Sequence, residues 1–169
     1  MLYGWTVRLL PILLLATTTR AQQWTRFRGP NGQGPADAQA IASEWKSSDY
    51  AWRATLPGEG LSSPVVWADK VFVTSCHESG PVGLVLALDA GTGDILWQKT
   101  YALTKYMMNS SNSYAASTPA VDAERVYVLW PTADELTAVA LDHEGHEAWT
   151  KDFGSIRSNH GPCVSPMLY

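Results

Sequence analysis

The stretch Ala87–Trp97, ALDAGTGDILW, and a looser copy at Ala140–Trp149, ALDHEGHEAW, decide how this chain is read. In the first, Leu86 and Leu88 alternate toward a core, and Asp89 ends the strand where its carboxylate accepts nearby backbone N–H groups. Gly91 and Gly93 supply the positive-φ positions of a tight turn, and Ile95-Leu96-Trp97 begins the return strand. The motif is a hairpin followed by a tryptophan. A flat ring at a fixed offset from a turn is suited to wedging between adjacent sheets, and its indole N–H needs one acceptor. In the copy, Gly145 takes the turn position and Trp149 the wedge position, with one residue deleted.

Outward from this motif, short runs rich in Val, Tyr, Phe and Trp are separated by turn residues. They read PVVW, KVFVTS, LVLALD and DILWQKTY, then TPAV, RVYVLW, LTAVALD and EAWTKDF, and a third copy opens at SPMLY, Ser165 to Tyr169. Four such strands in about 40 residues make one antiparallel sheet. Pro64, Pro119 and Pro166 mark the starts of the copies, 55 and 47 residues apart. Those intervals fit propeller blades of about 40–50 residues. Helical repeats are excluded, because no segment holds a 3.6-residue period. Trp52 to Leu56 shares the layout of Trp97–Tyr101 and Trp149–Phe153, and reads as an outermost strand without its three inner ones.

The expected fold is therefore all-β. It is a partial β-propeller of about two four-stranded antiparallel blades, an orphan N-terminal outer strand and the opening strand of a third blade. Residues 1–21 read as a signal peptide: Arg8 precedes the apolar run LLPILLLA, and cleavage is expected after Ala21. The run is too short for a bilayer, which needs roughly 20 residues. The order is then a turn-rich lead-in (22–44), the orphan strand of the closing blade (45–61), blade 1 (62–116), blade 2 (117–160) and the start of blade 3 (161–169). A closed ring takes about four blades at least, so the chain is expected to be part of a longer propeller and to be poorly stable or self-associating alone.

Composition agrees with an exported globular module. The chain is 46% hydrophobic and 17% charged, and removing Arg8 and Arg20 with the signal takes its net charge from −4 to −6. That balance argues against nucleic acid and anionic lipid surfaces as partners. After signal removal no membrane span is expected, and the mature protein belongs in the periplasm or outside the cell. Cys76 and Cys163 fall in different repeats; two separate, mostly buried thiols are favoured over a pair.

Ala87, Asp89, Gly93 and Trp97 match position by position the tryptophan-docking motif of the pyrroloquinoline quinone (PQQ) repeat family of β-propellers. Ala140, Asp142, Gly145 and Trp149 match it with one deletion. The lead-in FRGPNGQG (Phe27 to Gly34), followed by LPGEGLSSPVVW (Leu56 to Trp67), resembles exported PQQ-like propeller proteins of planctomycete-type bacteria. The resemblance implies two kinds of function. Quinoprotein alcohol or sugar dehydrogenases of the family hold PQQ and a calcium ion on the propeller axis. Others, the outer-membrane-protein assembly factor among them, bind no quinone and act as scaffolds. The adjacent cysteine pair typical of the alcohol dehydrogenases is not present, and no residue here matches their calcium carboxylates or catalytic aspartate. The expected function is a binding or scaffold module, probed against the alternative of the N-terminal part of a PQQ- and calcium-dependent dehydrogenase. No cofactor is assigned to this chain, with PQQ and calcium reserved for a longer parent. The expected partners are further blades or another protein, and a small polar ligand.

Candidate chemistry lies in the loops before each innermost strand, because propeller loops of that kind converge on the central funnel. These are GEGLSS (58–63), NSSNSYAAS (109–117) and SNHGPCVS (158–165). They place Asn112, Tyr114 and His160 near the axis as candidate ligand-binding residues, with Ser63, Thr118 and Ser165 at matching positions. The competing reading is structural: hydroxyls beside proline satisfy backbone groups at strand ends. The cluster His143, Glu144, His146 and Glu147 lacks metal-ligand spacing and lies on the outer hairpin, so no metal site is expected. His77-Glu78 reads as a solvated loop, and the glycosylation sequon Asn109-Ser-Ser111 has meaning only in a eukaryotic secretory pathway.

Overall fold

A computed structural model of the chain describes residues 23–35, 43–77, 80–132, 135–156, 161 and 163–169. The expected signal peptide, Glu78 and His160 lie outside these residues. Blade 1 contains β1 (Val65–Trp67), β2 (Lys70–Cys76), β3 (Val82–Asp89) and β4 (Ile95–Ala102). Blade 2 contains β5 (Ala120–Val121), β6 (Val126–Pro131), β7 (Leu136–Leu141) and β8 (Glu147–Asp152). Each is a four-stranded antiparallel sheet in sequential order, and the two stand side by side without closing a ring. A one-turn 3-10 helix, Ser47–Asp49, is the one helical element among the described residues, and none is long and apolar enough to cross a membrane.

Burial of β3 on both faces explains its unbroken apolar sequence. Val85 and Ala87 point into a core shared with blade 2, where Val126, Val128, Val139 and Leu141 meet Val65 and Phe72. Leu84, Leu86 and Leu88 pack in a second cluster with Val73, beneath Ala54 and Leu56. The segment expected as an orphan outer strand thus covers the free face of blade 1. Residues 52–56 carry no ladder hydrogen bonds, and neither do residues 165–169, where the third blade was expected to open. A strand exists by pairing, and neither segment has a strand beside it among the described residues.

The repeated motif has the same build in both blades. Its alanine lies directly opposite its tryptophan in the ladder, Ala87 against Trp97 and Ala140 against Trp149, and the register slips immediately afterwards in each. A methyl group opposite the indole leaves the ring room to lie across the sheet. Asp89 accepts the N–H groups of Gly91 and Thr92 at 2.8 Å, and Asp142 those of Glu144 at 3.0 Å and His146 at 2.8 Å. The Thr92 and Gly91 bonds hold the Asp89 carboxyl below its ordinary pKa of 3.8.

The Trp97 indole donates to the carbonyl of His143 at 2.9 Å, on the turn of the neighbouring blade, and its ring covers Gly145 (φ 87). One blade earlier, Trp52 repeats the arrangement: it donates to the Ala90 carbonyl at 2.9 Å and its ring lies on Gly93 (φ 79). The third equivalent, Trp149, is 40% exposed, and its ring meets Tyr127 of its own sheet at 6.1 Å in a tilted contact.

Cys76 is buried and bonded to Ser113 at 3.2 Å, whereas Cys163 is exposed. The two thiols are separate, but the expectation that both are mostly buried is corrected for Cys163, over whose segment no strand packs among the described residues.

Candidate functional site

The inner ends of both blades are tied together by the loops that lead into β1 and β5. The Ser63 N–H donates to Thr118 Oγ1 at 2.9 Å, and the Thr118 N–H donates to Ser165 Oγ at 3.0 Å. Thr74 Oγ1 donates to the Ser117 carbonyl at 3.0 Å, and Ser117 Oγ to the Val164 carbonyl at 2.6 Å. At Ser117, Thr118 and Ser165 the hydroxyls bond the backbone of the adjacent unit.

Of the candidate ligand residues, Asn112 and Tyr114 separate, and His160 lies outside the described residues. Asn112 lines an open cleft of about 280 Å³ with Glu59, Gly60 and Ser110, and its amide donates to the Gly161 carbonyl at 3.2 Å. Tyr114 is 9% exposed and belongs to the interblade core, where it meets Tyr106 edge-on at 5.2 Å. Its hydroxyl accepts the Tyr106 N–H at 3.4 Å. The sequence places Tyr114 on the right loop, but a loop between two sheets has one face turned inward. Burial also pushes the Tyr106 hydroxyl above its ordinary pKa, with Tyr114, Cys163 and Cys76 adding to the effect.

His143 and His146 have local jobs. His143 Nε2 is 3.0 Å from the Asp122 carbonyl with its ring against Trp67 and Phe72, and His146 pairs with Asp142 at 2.9 Å. Among the described residues no group of three His, Cys, Asp or Glu side chains is arranged to hold a metal ion.

A larger cleft, about 560 Å³, opens beside the first and shares Leu61 with it. One wall is the lead-in, which the sequence presents only as a turn-rich approach. Trp24 exchanges both backbone hydrogen bonds with Val66 on β1, at 3.0 and 2.8 Å, and the Thr25 carbonyl accepts the Val121 N–H of β5 at 2.8 Å. The chain thereby crosses the inner edges of both blades and delivers Arg26, Phe27 and Arg28 to the cleft. The opposite wall carries Thr118, Cys163, Ser165 and Met167. The sequence does hold a signal for this wall: two arginines flank an aromatic residue in a chain of net charge −4.

The family model described as outer membrane protein assembly factor BamB matches residues 33–165. Among solved structures, the crystal structure of BamB from Moraxella catarrhalis is similar, with a TM-score of 0.47 and 22% identity over 70% of this chain and 34% of that one. The chain thus spans about a third of the length of that structure. No curated protein matches.

Proposed function

Because the chain belongs to the PQQ-repeat propeller family of the outer membrane protein assembly factor BamB, we propose that it is a binding or scaffold module of the cell envelope, without catalysis of its own. One observation carries this reading. The polar groups of the shared motif are spent inside the fold, on the Asp89 and Asp142 turns and the Trp97 dock, while an open cleft faces the solvent beside the inner strand ends. Blade-to-blade docking builds the surface, and the loops do the binding. The partners are another protein or further blades, reached after export, and a small polar ligand at the clefts.

The second reading is the N-terminal part of a dehydrogenase in which PQQ and calcium accept a hydride. The described residues supply no carboxylate set fit for calcium, and Cys76 and Cys163 form no pair against a quinone. No step is derived through either group. The two readings are separated by titrating the full chain with PQQ and calcium and following dye reduction with alcohols and sugars. The module reading expects no quinone-dependent reduction; its appearance overturns that reading.

A further inference from the structure

We propose that the larger cleft binds an organic carboxylate that carries an apolar group, with Arg28 and the unspent face of Arg26 as its anion contacts. The proposal deepens the binding-module reading and rests on it. The arginines lie before residue 33, outside the span that the family model matches.

Charge is the first argument. Both arginines line the cleft, and no Asp or Glu does so among the described residues, in a chain whose net charge is −4. Glu59 is the acid that lines the neighbouring cleft, among the described residues. An anion is therefore drawn to the arginine wall and repelled from the other.

The second argument is preorganisation. Arg26 donates Nε to the Gly29 carbonyl at 3.3 Å and Nη2 to the Pro30 carbonyl at 3.0 Å, which fixes the guanidinium and leaves its remaining N–H groups unspent. Arg28 holds a left-handed backbone (φ 63) that a residue with a side chain adopts at a cost, locked by the Gly34 N–H on its carbonyl at 2.8 Å. Its guanidinium has no hydrogen-bond partner among the described residues and lies 5.5 Å from the Phe27 ring. A fork of this kind takes a carboxylate in two-point contact.

Shape supplies the third. Exposed Phe27, Leu61 and Met167 give the cleft an apolar floor beside the charge. Its volume of about 560 Å³ falls in the range of small-molecule sites. The ligand is either a free amphiphilic acid or the carboxyl end of a peptide with an apolar last residue.

The test is calorimetric titration of the full chain with 4-phenylbutyrate and with acetyl-Ala-Ala-Phe, each beside its carboxamide. The acids are expected to bind and the amides to bind at least about threefold more weakly, with acid affinity falling as NaCl rises from about 50 to about 500 mM. Arg28→Gly removes the guanidinium and relieves the left-handed backbone, so folding is not endangered. It is expected to lower acid affinity about threefold to fivefold and leave the amides unchanged, and Arg28→Lys is expected to recover part of the loss. Tighter binding of phenylbutyrate marks a free acid as the ligand; tighter binding of the peptide marks a chain end. Equal binding of acid and amide, no binding of either, or an unaltered acid affinity in Arg28→Gly overturns the assignment. Those results leave the scaffold reading standing, since quinone-dependent dye reduction alone decides against it.

Discussion

Replacing Gly145 by alanine tests whether the tryptophan wedge couples the blades. Gly145 sits at φ 87, and a Cβ there would lie 2.9 Å from Cδ2 of Trp97. Two costs follow. The left-handed backbone penalises a side chain by about 1–2 kcal/mol. The contact also pushes the indole off the turn and loosens its 2.9 Å bond to the His143 carbonyl, worth about 1 kcal/mol. The expected destabilisation is about 2–3 kcal/mol, or a fall of about 5–10 °C in Tm for a domain of this size. Gly154→Ala is the control: its φ is 83, and nothing lies within 4 Å of the added Cβ. It should lose only the backbone part, about 1–2 kcal/mol. Urea unfolding followed by circular dichroism compares the two, and Trp97→Phe, which keeps a ring and removes the N–H, should be non-additive with Gly145→Ala. Equal losses at Gly145 and Gly154 would refute the wedge.

Thr118→Val removes the buried acceptor of the Ser63 N–H, and a stranded donor costs about 1–3 kcal/mol, measurable in the same unfolding assay. Asp89 has its folded pKa below 3.8, so its stabilisation is present above that pH and drains as pH falls through the folded value. An acid titration of Asp89→Asn should therefore show a shallower loss of stability below pH ~4 than the parent. Under native conditions a thiol reagent should label exposed Cys163 and spare buried Cys76 until urea unfolds the sheets; mass spectrometry of the labelled peptides checks it.

Strand order and pairing were legible because each strand's own residues carry the signal. Turns at Gly93 and Gly145 punctuate the runs, and the alternation around Leu86 and Leu88 sets the faces. The docking partner of Trp97 was legible as a need for an acceptor but not as the His143 carbonyl, which depends on how two sheets stand relative to each other. The site was less legible for the same reason. Tyr114 and Asn112 are two residues apart, yet one is buried between blades and the other lines a cleft. Arg26 and Arg28 looked like part of a turn-rich approach, since the bridge from Trp24 to Val66 joins residues far apart in sequence.

The division of labour follows from where the hydrogen-bonding capacity goes. Asp89 and Asp142 are consumed by their own turns, Trp52 and Trp97 by the next turn along, and Thr118 and Ser165 by neighbouring backbone. These contacts depend on the blade build alone, so any ligand that discriminates this chain from another of similar build must be read by groups outside them. On the inner side that points to the lead-in arginines and the Glu59–Asn112 cleft. On the outer side it points to Trp149, which holds the same ladder position opposite alanine as Trp97 and is 40% exposed. The two docked tryptophans define what such a ring accepts: a left-handed glycine beneath it and a backbone carbonyl beside it.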